Sequence, residues 1–169
     1  MTRAFGLLLR DCRGSPAVEM ALVLPLLLIL MFGSIELGNY FMNEHTLSKA
    51  VRDGARFAAR QSFDNYPDCS APSTTLRDNT RQVVMTGYLE SGGSNLTPNI
   101  EADDIDVETS CTTTAGGEDM LGIYRGRTNG AQIVTVKAAV TYRPIVGSFG
   151  FNSFGILLNA SSQAVVTGE

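Results

Sequence analysis

Residues 13–60 read RGSPAVEMALVLPLLLILMFGSIELGNYFMNEHTLSKAVRDGARFAAR, and this stretch decides the fold. From Met20 to Ile35 sixteen residues carry no charge, and the wider run Ala17 to Phe41 is interrupted only by Glu19 and Glu36. At about 1.5 Å per residue the uncharged core covers roughly 24 Å, short of the ~30 Å hydrocarbon thickness of a bilayer, and its apolar flanks supply the missing turns. A membrane-crossing helix is predicted, with the two glutamates near its edges. Pro25 lies inside it, frees a backbone carbonyl, and predicts a kink.

The helical pattern does not stop at the span. Leu37, Tyr40, Phe41, Leu47, Val51, Gly54 or Ala55, and Ala58 recur at three- and four-residue spacing, as one face of a helix requires. Lys49, Arg52, Arg56 and Arg60 follow at spacings of three, four and four, predicting a basic stripe beside that face, with Asp53 able to pair with Lys49. From Ala17 to Arg60 such a helix is about 66 Å long, so its second half leaves the bilayer and its apolar face needs a protein cover.

A removable secretory signal is the first alternative, because Arg3, Arg10 and Arg13 precede the apolar run. No pair of small residues in A-x-A spacing follows the run, and the helix pattern continues, so a retained anchor is favoured. Bases flank both sides of the span, and their count alone leaves the orientation open. The short arginine-rich leader and the large polar part beyond the span favour a cytoplasmic N-terminus.

The junction before the span, Arg13-Gly14-Ser15-Pro16-Ala17-Val18-Glu19-Met20, resembles the prepilin junction of type IV pilin-like proteins. The longer stretch quoted above resembles the TadE-like family of tight-adherence (Flp-type) pilus pseudopilins. The resemblance implies that a membrane-embedded prepilin peptidase cuts between Gly14 and Ser15 on the cytoplasmic side. It also implies that Glu19 then helps set the stagger of one subunit against its neighbour's new N-terminus. The physical logic agrees: an ionisable group entering apolar surroundings is costly unless paired, and cleavage creates an α-amine four residues away. Glu19 and Pro25 are thus the assembly residues expected on the helix. The sequence departs from the family pattern at Met20, where an aromatic often follows the glutamate, and at Pro16, close to the bond.

Beyond the helix, residues 62–73 shift to Asp, Asn, Pro and Ser and hold Cys69. Thr74 or Thr75 is expected to cap a short second helix carrying Leu76, Thr80, Val83, Val84, Gly87 and Tyr88 on one side, stopped by Ser91-Gly92-Gly93. Residues 100–110 read as a strand with Ile105 and Val107 on one face and Asp104, Asp106 and Glu108 on the other. Residues 132–143 alternate more cleanly, with Val134, Val136, Ala138, Val140 and Tyr142 facing a core, and Pro144 ends the strand. A third strand is expected near 160–167. The expected class is α+β: a long N-terminal transmembrane helix projecting into a small antiparallel-sheet domain, pilin-like. Its parts are a cytoplasmic leader at 1–14, the transmembrane and projecting helix at 15–61, and an extracytoplasmic α+β domain at 62–169. With that orientation, a disulfide between Cys69 and Cys111, closing a 43-residue loop, is favoured over free thiols.

Composition narrows the chemistry further. The 169 residues carry 13 Lys and Arg against 17 Asp and Glu, a formal charge of −4, so no basic excess points to nucleic acid. Apolar residues make up 44% and charged residues 18%, which argues against disorder. A single histidine, His45, leaves multi-histidine metal sites and paired-histidine catalysis without their groups. Asp103, Asp104 and Asp106 alternate across an expected strand and lack the glycine turn and terminal glutamate of a calcium loop. Residues 61–130 hold eleven acids and four arginines, whereas residues 44–60 hold four bases and two acids, so the chain's charge is divided along its length.

The expectation is a non-enzymatic pseudopilin precursor with no cofactor and no small-molecule substrate, acting in pilus assembly. Its expected partners are a prepilin peptidase, other pilin and pseudopilin subunits with their assembly platform, and membrane lipid. Its expected place is the bacterial inner membrane, single-pass, with the C-terminal domain periplasmic and the surface pilus as a further location. An uncleaved, membrane-anchored envelope adaptor or binding module is the alternative.

Overall fold

The computed structural model describes residues 15–67, 69, 71–90, 92–112, 120–127, 130–149 and 155–168. The first helix, α1, runs without interruption from Ser15 to Ala59 and continues through Pro25. It is followed by α2 (Thr74–Thr86) and the strands β1 (Ile105–Thr112), β2 (Ala131–Thr141) and β3 (Leu157–Val165). The strands form one antiparallel sheet in the order β1-β2-β3, so the predicted α+β class and the long apolar N-terminal helix are both present. The chain divides into two compact units, Met1–Asn39 and Tyr40–Glu169, with the boundary inside α1.

In the second unit, helix and sheet share one core. Leu47, Val51, Ala55 and Ala58 of α1 are fully buried, together with Ile105, Val107, Val134, Val136, Val140 and Leu158 of the sheet and Leu76 and Val84 of α2. Each large aliphatic side chain so buried stabilises the fold by about 1.5–3 kcal/mol relative to exposure. The register keeps the predicted alternation: Ile105 faces Ala138 and Val107 faces Val136 across β1 and β2, and Val140 faces Leu158 across β2 and β3. The outward positions of β1 and β2 carry Asp106, Glu108 and Lys137, and Lys137 donates to Glu108. That bond holds the Glu108 carboxyl below and the Lys137 ammonium above their ordinary values, on an exposed face where such a pair adds little stability.

β2 runs antiparallel to the second half of α1. At one end the rings of Tyr40 and Tyr142 meet edge to face, with centroids 5.3 Å apart. At the other end Gln132 donates to the Tyr66 carbonyl at 2.9 Å, and the Tyr66 hydroxyl donates to the carbonyl of Ala58 at 2.5 Å. The lengths suit the arrangement, since Tyr40 to Ala59 rises about 29 Å as helix and the eleven residues of β2 extend about 34 Å.

Several boundaries differ from the sequence expectation, each for a local reason. Ser73, not a threonine, caps α2 by accepting the Leu76 N–H at 3.4 Å. The helix stops at Thr86 because Gly87 adopts the left-handed conformation, φ 80°, and returns its N–H to Val83. Tyr88 therefore leaves the helical face and is exposed. β1 begins at Ile105 rather than at Ile100, because the Asp104 carboxylate accepts the Glu101 N–H and folds residues 102–104 into a 3-10 turn. Ile100 is nevertheless buried. β3 begins three residues early, and Thr167 turns its N–H away from the ladder to the Ala59 carbonyl.

The basic stripe also differs in position. Lys49, Arg52, Arg56 and Arg60 are exposed on the side of α1 opposite its buried residues, not beside them. Among the described residues, Asp53 is not within ion-pair distance of Lys49.

Candidate assembly surface

The described part of the first unit is a helix whose side chains are apolar on every side. Leu22 is 72% and Ile29 64% exposed, and Leu24, Leu26, Leu27, Leu28 and Leu30 are exposed with them. Water would penalise such a surface, so it needs lipid or other protein around it. Among the described residues α1 is the one helix long and apolar enough to cross a membrane. One polar side chain inside the apolar run is satisfied without adding charge: the Ser34 hydroxyl donates back to the Leu30 carbonyl at 2.7 Å.

Glu19 is exposed within this surface, four residues and so about one turn from Ser15, where α1 begins. Helical geometry thus sets Glu19 and the N-terminal end of the helix on one side. Gly14, the other half of the expected cleavage pair, lies outside the described residues, as does the rest of the leader.

Cys69 and Cys111 are joined by a disulfide, with an S–S distance of 2.06 Å and Cα atoms 5.3 Å apart. It ties the irregular segment after α1 to the end of β1, in the unit that also carries the buried face of the helix. His45 is exposed on α1. Among the described residues no three His, Cys, Asp or Glu side chains come together as metal ligands. Asp104 is instead engaged with the Glu101 backbone.

The sequence reading missed the contacts that close the C-terminal end of α1. The carbonyls there accept from Gln61, Tyr66 and Thr167, and Arg127 stacks its guanidinium 3.4 Å over the ring of Phe63 just beyond. It also missed the exposed aliphatic residues at the far end of β2, for which the signal was a fifteen-residue connection, Tyr142 to Ile156, containing one charged residue.

Compared with known proteins, residues 14–56 match the TadE family model, described as TadE-like protein. No curated protein and no solved structure matches the chain. The matched segment begins at Gly14, contains Glu19 and Pro25, and takes in both the exposed apolar part of α1 and most of its buried face. Residues 14–56 are thus similar to the TadE-like proteins.

Proposed function

We propose that the chain is the precursor of a pseudopilin-like subunit of a tight-adherence pilus, a structural protein and not an enzyme. In this reading a prepilin peptidase cuts between Gly14 and Ser15, and α1 remains in the inner membrane with its N-terminus cytoplasmic and its sheet unit periplasmic. There it packs laterally against other pilin and pseudopilin helices and the assembly platform. The observation that supports this best is the apolar, exposed surface of α1 bearing Glu19 one turn after Ser15. A carboxylate in hydrocarbon is retained where it has a partner, and the α-amine freed at Ser15 of a neighbouring subunit is one.

Mass spectrometry of membrane protein from cells with and without the peptidase tests the processing step. An N-terminus at Ser15 in the first and at Met1 in the second is expected. Met1 in both overturns the proposal and, if the chain is also absent from sheared surface fractions, leaves an uncleaved envelope adaptor in its place. Glu19→Ala should spare membrane insertion and reduce piliation and surface adhesion. Unchanged piliation would remove the pairing role.

A further inference from the structure

We infer that the back of α1 and the outer face of the sheet are the two halves of one contact between copies of this chain. In it, Lys49, Arg52, Arg56 and Arg60 of one copy lie against Asp103, Asp106 and Glu108 of the next. The contact rests on α1 being a membrane span, as proposed above, since it needs copies standing side by side.

Helix and sheet share one core in the second unit, so each turns its other side outward. The back of α1 carries four exposed bases, with Asp53 the exposed acid among them. None of the four bases has an ion-pair partner among the described residues. The outer face of the sheet, with the turn that leads into β1, carries Asp103, Asp104, Asp106 and Glu108 against one base, Lys137. The unit is therefore basic on one side and acidic on the other.

The two charged faces also stand at the same height. Counted from the contact of Tyr40 with Tyr142, Lys49 and Arg56 lie about 14 and 24 Å along the helix. Lys137 and Thr135, which face Asp106 and Glu108 across the ladder, lie about 17 and 24 Å along β2. Beside Asp103 and Asp106 the sheet is hollowed into a recess of about 590 Å³, reaching Ala139, Asn159 and Ser161. Those short side chains leave room for a helix with long basic side chains to come close.

The signs decide how the copies meet. A two-fold dimer through either face would set like charge on like charge, whereas a front-to-back stack sets base on acid. Such a stack keeps all copies pointing the same way, as copies inserted in one bilayer with one topology do. It leaves one unused face at each end, so the contact can propagate from copy to copy.

Cross-linking in vesicles tests this. Full-length protein carrying Cys12→Ser has its remaining cysteines, Cys69 and Cys111, tied to each other. His45→Cys places a thiol on the exposed side of α1 about 8 Å along from Tyr40, and Asn159→Cys places one on the sheet beside Ala139, about 10 Å along from Tyr142. The two variants are co-reconstituted in phosphatidylcholine and treated with a short bismaleimide. The mixture is expected to give a cross-linked dimer that neither variant gives alone. Its yield should fall several-fold in about 1 M sodium chloride, which screens charge beyond roughly 3 Å. Arg52→Glu with Arg56→Glu on the first chain should lower it likewise, and Asp103→Lys with Asp106→Lys on the second chain should restore it.

A yield that ignores both salt and charge reversal overturns the inference, as does equal cross-linking of either variant with itself. Absence of cross-links in every mixture means that lipid or another protein covers the basic side, and overturns it too. Resistance to alkaline carbonate extraction separates the two readings. Protein that stays in the vesicles without the mixed cross-link leaves the span intact and removes the stack, whereas extracted protein ends both.

Discussion

The backbone N–H of Thr167 donates to the carbonyl of Ala59 across 2.8 Å, joining the tail of the last strand to the last residue of the long helix. The Thr167 hydroxyl donates to the same oxygen at 3.2 Å. A helix end leaves carbonyls without intrahelical partners, so this pair of bonds both terminates α1 and ties the sheet to it. Thr167→Pro removes both donors and should cost about 1–3 kcal/mol, whereas Thr167→Val, which keeps the N–H, should cost about 0.5–1 kcal/mol. Urea unfolding of the detergent-solubilised protein, followed by near-ultraviolet circular dichroism, measures the difference. Equal costs for the two variants would show that the backbone bond is not the one that counts.

At Gly54, α1 lies close against Val84 and Thr80 of α2. A Cβ placed there would meet the Val84 side chain, which is fully buried and, as a β-branched residue in a helix, has little freedom to turn aside. Gly54→Ala gains roughly 1 kcal/mol in helix propensity and incurs roughly 1–3 kcal/mol of overpacking. The net expectation is destabilisation, relieved in the Gly54→Ala, Val84→Ala double variant relative to the sum of the two single changes. A stabilised Gly54→Ala protein would show that the two helices can move apart at little cost.

The Cys69–Cys111 bridge closes a loop with a sequence separation of 42 residues. The chain-entropy account gives about 4 kcal/mol for a loop of that size. Cys69→Ser with Cys111→Ser should lower the urea midpoint accordingly, and reduction of the parent protein should retard it on a denaturing gel. If the double variant unfolds at the parent midpoint, the loop is held by its own packing instead.

Burial pushes the Tyr66 hydroxyl well above the ordinary phenol range, while that hydroxyl donates to Ala58. Because the folded value is raised, the stabilisation is complete below the unfolded value of about 10 and is lost as pH rises from there through the folded value. Tyr66→Phe should therefore be less stable than the parent by about 1 kcal/mol at neutral pH. That gap should narrow as pH climbs past the ordinary phenol range. Before alkaline unfolding, the phenolate absorbance change should be the same in both proteins, since Tyr66 stays protonated. A larger change in the parent would mean that the hydroxyl is accessible.

Much of this was legible because the signals were local and periodic. The apolar run and its continuation fixed α1, and Leu47, Val51, Ala55 and Ala58, which the three- and four-residue spacing named, are buried, together with Ala50, which it did not name. The alternation from Val134 to Tyr142 fixed β2 and its inward face. Leu37 and Phe41 satisfied the same spacing yet are exposed, because periodicity shows which residues share a face and not whether anything covers it. Boundaries were less legible where one side chain competes with the ladder for a backbone group, as Asp104 does before β1.

The sequence by itself determined the long apolar helix, the α+β order and the resemblance carried by Gly14, Ser15 and Glu19, since each depends on residues a few positions apart on one rod or strand. Only the tertiary structure decided that Thr167 closes the helix at Ala59, that Tyr142 lies beside Tyr40, and that the bases of α1 point away from the sheet. Those relationships join residues more than one hundred positions apart, or turn on which side of a helix is covered. Both follow from how the apolar faces of helix and sheet bury one another, which no short spacing encodes.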